Sequence, residues 1–310
     1  MKPLRQAVLE YLALRRALGF KLRDAEDCLK DFVAFAEERG ITRITTHMAL
    51  DWALSKPSAR PERAAERLRA VRAFARHYIG IDPSTEVPPT KLLPHRVRRR
   101  QPYLYADDDV ERLLAQALCL PPQDGLRPWT YYCLLGLLSV TGMRLGEALR
   151  LDVTDVDLDQ DVLTVRDSKF GKSRLIPIQA STRAALAQYR DRRDQLLQGH
   201  VQRYFFVSGR GTPLIPSCVH RTFYALLAQT GLFIVGDAQR PRLHDLRHRF
   251  AVRTLLQWYR NGEDVERRLP ELSTYLGHTC IENTYWYLSA YPELMGHAVN
   301  RLEHRWEMTS

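Results

Sequence analysis

The chain has 310 residues, with 46 Lys and Arg against 36 Asp and Glu, for a net charge of +10. With 45% hydrophobic and 26% charged residues, it reads as an ordinary globular protein of about two domains. The longest apolar run, near residues 131–140, is too short to span a bilayer, and no apolar leader follows Met1, so the expected location is the bacterial cytoplasm.

The first 82 residues predict a compact bundle of four helices. Leu4, Val8, Tyr11 and Leu12 recur at helical spacing as far as Gly19. Asp24 can cap a second helix that turns Leu29, Phe32, Val33 and Ala36 inward and stops at Gly40. Thr45 and Thr46 precede a short third helix through Trp52 and Leu54. The fourth runs from Pro61, a residue suited to a first turn, to Gly80. Its apolar stripe is Ala64, Leu68, Val71, Ala75 and Tyr78, with Arg69, Arg72 and Arg76 on the opposite face. Residues 83–102 change texture: Pro83, Pro88, Pro89, Pro94 and Pro102 exclude a regular helix, and Arg96, Arg98, Arg99 and Arg100 make the segment cationic. This predicts an extended basic linker. Residues 1–100 carry 21 Lys and Arg against 12 Asp and Glu, whereas the other 210 carry 25 against 24. The positive charge therefore gathers in the first third, as expected of a module that grips a polyanion, with Arg69, Arg72, Arg76, Arg98, Arg99 and Arg100 as candidate phosphate contacts.

Residues 103–310 predict a second, mainly α domain. Asp107, Asp108 and Asp109 suit a helix N-terminus and lead into Val110, Leu113 and Leu114. A buried helix covers 131–140, and another begins near Leu145 after the Thr141-Gly142 break. Val162-Leu163-Thr164-Val165 and Leu175-Ile176-Pro177-Ile178, joined by a turn at Phe170-Gly171, predict a small antiparallel hairpin. Helices follow at about 181–197, 217–230, 245–258 and 271–275, with 204–207 extended. A tail helix places Leu294, Ala298, Leu302 and Trp306 four residues apart.

Several segments carry residues suited to phosphate chemistry. Arg144 lies between Gly142 and Gly146 at a loop-to-helix junction, where a guanidinium can fork onto two phosphate oxygens. His244, Arg247 and His248 share one face of a helix. His-x-x-x-His can bind zinc, but Asp245 stands where the zinc-protease motif has glutamate and no third ligand is evident, so no metal is expected. The five cysteines (Cys28, Cys119, Cys133, Cys218 and Cys280) form no Cys-x-x-Cys pair. Lys169 and Lys172 flank the hairpin turn, from which a lysine can reach into a groove. His278 follows Gly277, and Tyr287 comes nine residues later, beside Trp286 and Tyr285.

The order Arg144, Lys169, His244-x-x-Arg247, Leu276-Gly277-His278 and Tyr287 resembles the tyrosine recombinase family, the Xer- and Cre-like recombinases and phage integrases. The resemblance covers roughly residues 103–300, and the first domain is similar to that family's helical core-binding domain in size, charge and helix count. It implies a metal- and ATP-independent DNA strand transferase with no cofactor, active in DNA recombination, integration or transposition of a mobile element. The arginines would clamp the scissile phosphate and His278 would bond one of its oxygens. His244 would help deprotonate Tyr287, Lys169 would protonate the leaving 5′-oxygen, and Tyr287 would form a 3′-phosphotyrosine. The implied partners are double-stranded DNA and further copies of the chain, as a tetramer on two sites, with the tail helix docked on its own or a neighbouring subunit. Lys172 is an alternative to Lys169 and Tyr285 to Tyr287. A type IB topoisomerase, or a DNA-binding protein of recombinase descent without catalysis, is the alternative function.

Overall fold

The structure, a computed structural model, describes residues 3–56, 62–93, 101–166, 173–198, 203–233, 240–291, 293–296 and 299. It divides into two compact units, Met1–Arg100 and Gln101–Ser310.

The first unit contains helices α1 (Leu4–Ala17), α2 (Arg23–Glu38), α3 (Thr46–Leu54) and α4 (Glu62–Tyr78). Their apolar stripes meet in one core, with Val8, Leu12, Leu29, Phe32, Trp52, Val71 and Phe74 all nearly sealed from solvent. Thr45 caps α3 by accepting from the Met48 amide at 3.1 Å. Asp31 ties three helices together: it accepts from the Trp52 indole and from Arg67, each at 3.1 Å, and from Lys56. The fourth-helix stripe also includes Phe74, and Arg67 is buried beside it over the Trp52 ring at 4.1 Å. Residues 83–93, whose prolines suggested a linker, lie on this unit. Val87 and Leu93 pack against the core, the Glu86 amide donates to Ile44 O at 2.9 Å, and the Glu86 carboxylate accepts from the Thr46 amide at 2.8 Å. Proline bars helical hydrogen bonding but not apolar packing.

The second unit is built round α6 (Leu126–Thr141), which is buried on almost every side. Packed about it are α5 (Asp107–Leu118), the short α7 (Leu145–Ala148), α8 (Ala180–Leu196), α9 (Pro216–Gln229) and α10 (Asp245–Arg260). Strands β1 (Val156–Asp157), β2 (Val162–Val165) and β3 (Arg174–Pro177) form an antiparallel sheet in that order. Leu163 faces Ile176 and Val165 faces Arg174 across it, and Leu163, Val165 and Ile176 point into the core. Two residues cannot display alternation, so β1 leaves no sequence signal. Residues 204–207 form only isolated bridges, Asp152 with Tyr204 and Val207 with Pro213.

A second cluster joins α10, α11 (Val265–Leu276) and α12 (Glu282–Ala290), burying Ala251, Leu255, Leu269, Leu272, Leu276 and Tyr287. α11 starts six residues before the expected Glu271, because burial of Val265 and Leu269 and the Asp264 cap outweigh the one hydrogen bond that Pro270 removes. α12 lacks a clean apolar stripe, which is why it went unexpected. No helix among the described residues is long and apolar enough to cross a membrane.

Candidate active site

Two glycines shape the floor of the site. Gly142 ends α6 with φ 61°, and a Cβ there would stand 2.6 Å from the Phe250 ring. Gly277 ends α11 with φ 66°, and its Cβ would meet the Arg174 guanidinium at 3.0 Å. Left-handed backbone and close approach both require glycine at these positions. The carbonyls so turned inward become acceptors. Arg247, 2% exposed, donates to Gly142 O and to Leu276 O, each at 2.7 Å. Arg144 donates to Gly277 O at 2.9 Å.

Glu147 anchors the arginine side. Its carboxylate accepts from the Arg144 amide at 3.0 Å and the Arg144 guanidinium at 2.7 Å, and from Arg174 at 2.8 and 3.3 Å. Arg174 also donates to Tyr275 O at 2.7 Å, so it ties β3 to α11. Burial works against the charged form of Glu147, but the bonds from Arg174 and Arg144 outweigh it and hold the carboxyl down at about 2. Arg247 is pushed down to about 10 by burial and by the Arg144 charge, and at that value it stays cationic at neutral pH.

The histidines and the tyrosine form the other side. His244 precedes α10, whose first turn is fixed by the fully buried Asp245 accepting from the Arg242 amide and guanidinium at 2.9 Å each. The His244 and His248 rings meet edge to face with centroids 4.9 Å apart. His248 Nδ1 lies 3.2 Å from the Tyr287 hydroxyl, and the two rings are 5.5 Å apart. His278 Nδ1 bonds Thr284 Oγ1 at 2.8 Å, and its ring stacks near Tyr287 at 6.3 Å. Loss of water round the ring, then the Arg247 charge, push His278 down to about 3. The same burial, then His244, take His248 to about 3. His244 keeps one edge in solvent, yet desolvation of the rest of its ring and the Arg247 charge lower it to about 4. At neutral pH the site thus holds fixed arginine cations beside neutral imidazoles.

Arg144, His244, Arg247, His278 and Tyr287, drawn from four segments of the chain, are brought together here. Tyr287 is 2% exposed and lies within the cluster, whereas Tyr285 is 46% exposed. Lys169 and Lys172 lie outside the described residues, as do Arg98, Arg99 and Arg100. Arg69, Arg72 and Arg76 share one face of α4 in the first unit; Arg69 and Arg76 are exposed. Arg72 is half-buried and donates to Pro88 O at 2.7 Å and Pro89 O at 2.6 Å. Its guanidinium is therefore already engaged in holding residues 83–93. Two more side chains join this cluster, Arg174 and His248, neither of which had been given a role from the sequence. Arg174 was legible from strand alternation, since it shares the inward face with Ile176 while Leu175 is 64% exposed. His248 was legible as the residue one turn after His244. Among the described residues no group of three or more His, Cys, Asp or Glu side chains could hold a metal ion.

The model of the phage integrase family matches residues 105–293. A putative integrase/recombinase, y4rB, of Sinorhizobium fredii is 52% identical over 99% of both chains. The tyrosine recombinase XerD of Caulobacter vibrioides is 31% identical over 77% of this chain and 74% of its own. Among solved structures, a lambda integrase tetramer bound to a Holliday junction superposes with a TM-score of 0.62 over 90% of this chain and 78% of that one. At 20% identity that likeness bears on the fold.

Proposed function

The chain belongs to the phage integrase family of tyrosine recombinases, and from that premise we propose that it is a site-specific recombinase that cleaves and rejoins duplex DNA through a 3′-phosphotyrosine at Tyr287. The observation that carries this reading is the burial of one tyrosine, of the fourteen in the chain, among Arg144, Arg247, His248 and His278.

In this reading the non-bridging oxygens of the scissile phosphate accept hydrogen bonds from the Arg144 and Arg247 guanidiniums. Charge builds on its non-bridging oxygens as the phosphorus becomes five-coordinate, and fixed cations stabilise that state more than the ground state. With Nδ1 engaged by Thr284, His278 has Nε2 to offer one of those oxygens. His244 helps remove the phenolic proton, and Lys169 gives one to the departing 5′-oxygen. The Tyr287 oxygen bonds phosphorus as the P–O5′ bond breaks. Attack by a partner strand's 5′-hydroxyl reverses these steps, so the energy of the broken bond is kept and no ATP is needed. Non-specific grip on the duplex comes from arginines of the first unit, Arg69 and Arg76 foremost, with Arg98, Arg99 and Arg100 lying along the backbone. Strand exchange needs two duplexes and hence several copies, in keeping with the tetramer in the lambda integrase structure.

A nicked suicide duplex carrying DNA from the flanks of the gene tests the reading. Wild-type protein and Tyr285→Phe are expected to form a covalent adduct that survives EDTA, and Tyr287→Phe none. An adduct that persists in Tyr287→Phe and vanishes in Tyr285→Phe overturns the choice of nucleophile.

A further inference from the structure

We propose that His248 is a positioning residue for the nucleophile: its Nδ1 accepts the Tyr287 hydroxyl proton in a hydrogen bond and so aims the oxygen's lone pairs at the phosphate. The inference rests on Tyr287 being the nucleophile. His248 stands one residue beyond Arg247 on α10, and Tyr287 stands on α12, so the 3.2 Å contact joins two helices. The His248 ring is wedged among aromatic neighbours, with Tyr287 at 5.5 Å, Trp286 at 5.4 Å and His244 at 4.9 Å. That packing fixes the ring plane, and therefore the direction of Nδ1.

The surroundings keep His248 neutral, and the proposed bond has its one proton on Nε2. Burial comes first, and then His244, Arg242, Arg247 and His278 all disfavour a positive charge on His248. A neutral imidazole carries one proton, and with that proton on Nε2 it accepts at Nδ1. The phenol is then the donor. Its proton points at α10, and this bond takes up neither lone pair of Oη. Were Nδ1 the donor, one lone pair would be taken up and the hydroxyl proton would be free to turn toward the phosphate. His248 thus orients the hydroxyl, and its bond to the phenolic proton breaks when another group takes that proton. His278 is not equivalent, since its Nδ1 is engaged by Thr284.

Single-turnover adduct formation on the suicide duplex, at saturating DNA, tests this with His248→Phe and His248→Asn. Phenylalanine keeps an aromatic ring without an acceptor, whereas the asparagine Oδ1 lies near the position of Nδ1. We expect the Phe variant to react roughly ten-fold slower, with DNA affinity in a mobility shift unchanged, and the Asn variant to regain most of the rate. A Phe variant at the wild-type rate, or an Asn variant as slow as Phe, overturns the proposal. If His248→Phe does not fold, the imidazole 15N resonances of wild type and Tyr287→Phe decide. A His248 Nδ1 signal of an unprotonated acceptor that shifts on loss of the hydroxyl supports the bond, and an unmoved signal overturns it. Absence of any Tyr287-dependent adduct with wild-type protein would instead remove the functional reading, and the resonance test of the bond would still stand.

Discussion

The two halves of the candidate site are held by different forces. On one side, Arg144, Arg174 and Arg247 are bound by charge and by backbone carbonyls, with Glu147 as the buried counter-ion. On the other, His248, His278, Thr284 and Tyr287 are held by neutral hydrogen bonds and ring packing. The arginine half is held in place by its own counter-ion and carbonyls, so in the proposed reaction little reorganisation would be needed as charge develops on a phosphate. The histidine half is kept uncharged at neutral pH, since burial disfavours the protonated imidazoles. Each half can be broken separately.

Arg247→Ala should give the largest effect on chemistry. Loss of one preorganised donor to a developing oxyanion costs about 10²–10³ in rate. The same change leaves Gly142 O and Leu276 O without this donor, so the melting temperature should fall as well. Arg247→Lys keeps the charge but cannot fork onto two acceptors, and it should restore stability more than rate. Adduct kinetics and thermal melts on both variants check this. Equal recovery of rate and stability in the lysine variant would mean that charge alone matters and that the fork does not.

Glu147→Gln weakens the arginine half by removing its buried counter-ion. Removing the charge from a buried carboxylate that pairs with two guanidiniums should destabilise the unit by about 3 kcal/mol, measured by denaturant unfolding. The carboxyl is held at about 2, below its unfolded value of 4.5, so its contribution is complete above pH 4.5 and is lost as the pH falls toward 2. The Gln variant should therefore lose stability at neutral pH yet show a shallower decline below pH 4.5. If wild type and variant decline in parallel there, Glu147 is not the group responsible.

Much of this arrangement was legible in the sequence where a local rule applied. Helical periodicity located the four helices of the first unit to within a few residues, and the family resemblance carried by Arg144, His244, Arg247, His278 and Tyr287 implied that they gather in one cluster. What was not legible depended on contacts between distant segments. That Arg72 is engaged with Pro88 and Pro89 follows only once residues 83–93 lie against α4. That Arg174 shares Glu147 with Arg144 needs β3 to pass beneath Gly277. The bond between His248 and Tyr287 crosses from α10 to α12, two helices joined by no local pattern.

The histidine half should reveal itself through pH, in a window that begins above the glutamate's. His248 and His278 titrate at about 3 in the folded chain, against 6.5 when exposed. Between those values the unfolded chain takes up protons that the folded chain refuses, so stability rises with pH across the window. Their contribution is complete above pH 6.5 and drains away as the pH falls toward 3. At about pH 5.5 each histidine should cost about 1 kcal/mol relative to neutral pH, a little under the ideal value because both rings keep some contact with water. Asparagine does not titrate, so His248→Asn and His278→Asn should each flatten the fall in unfolding free energy between about pH 6.5 and pH 5, where Glu147 is ionised in the folded chain and mostly ionised in the unfolded one. A slope unchanged in both variants would show that these imidazoles can take up protons in the folded protein, and the contrast between a charged half and a neutral half would be lost.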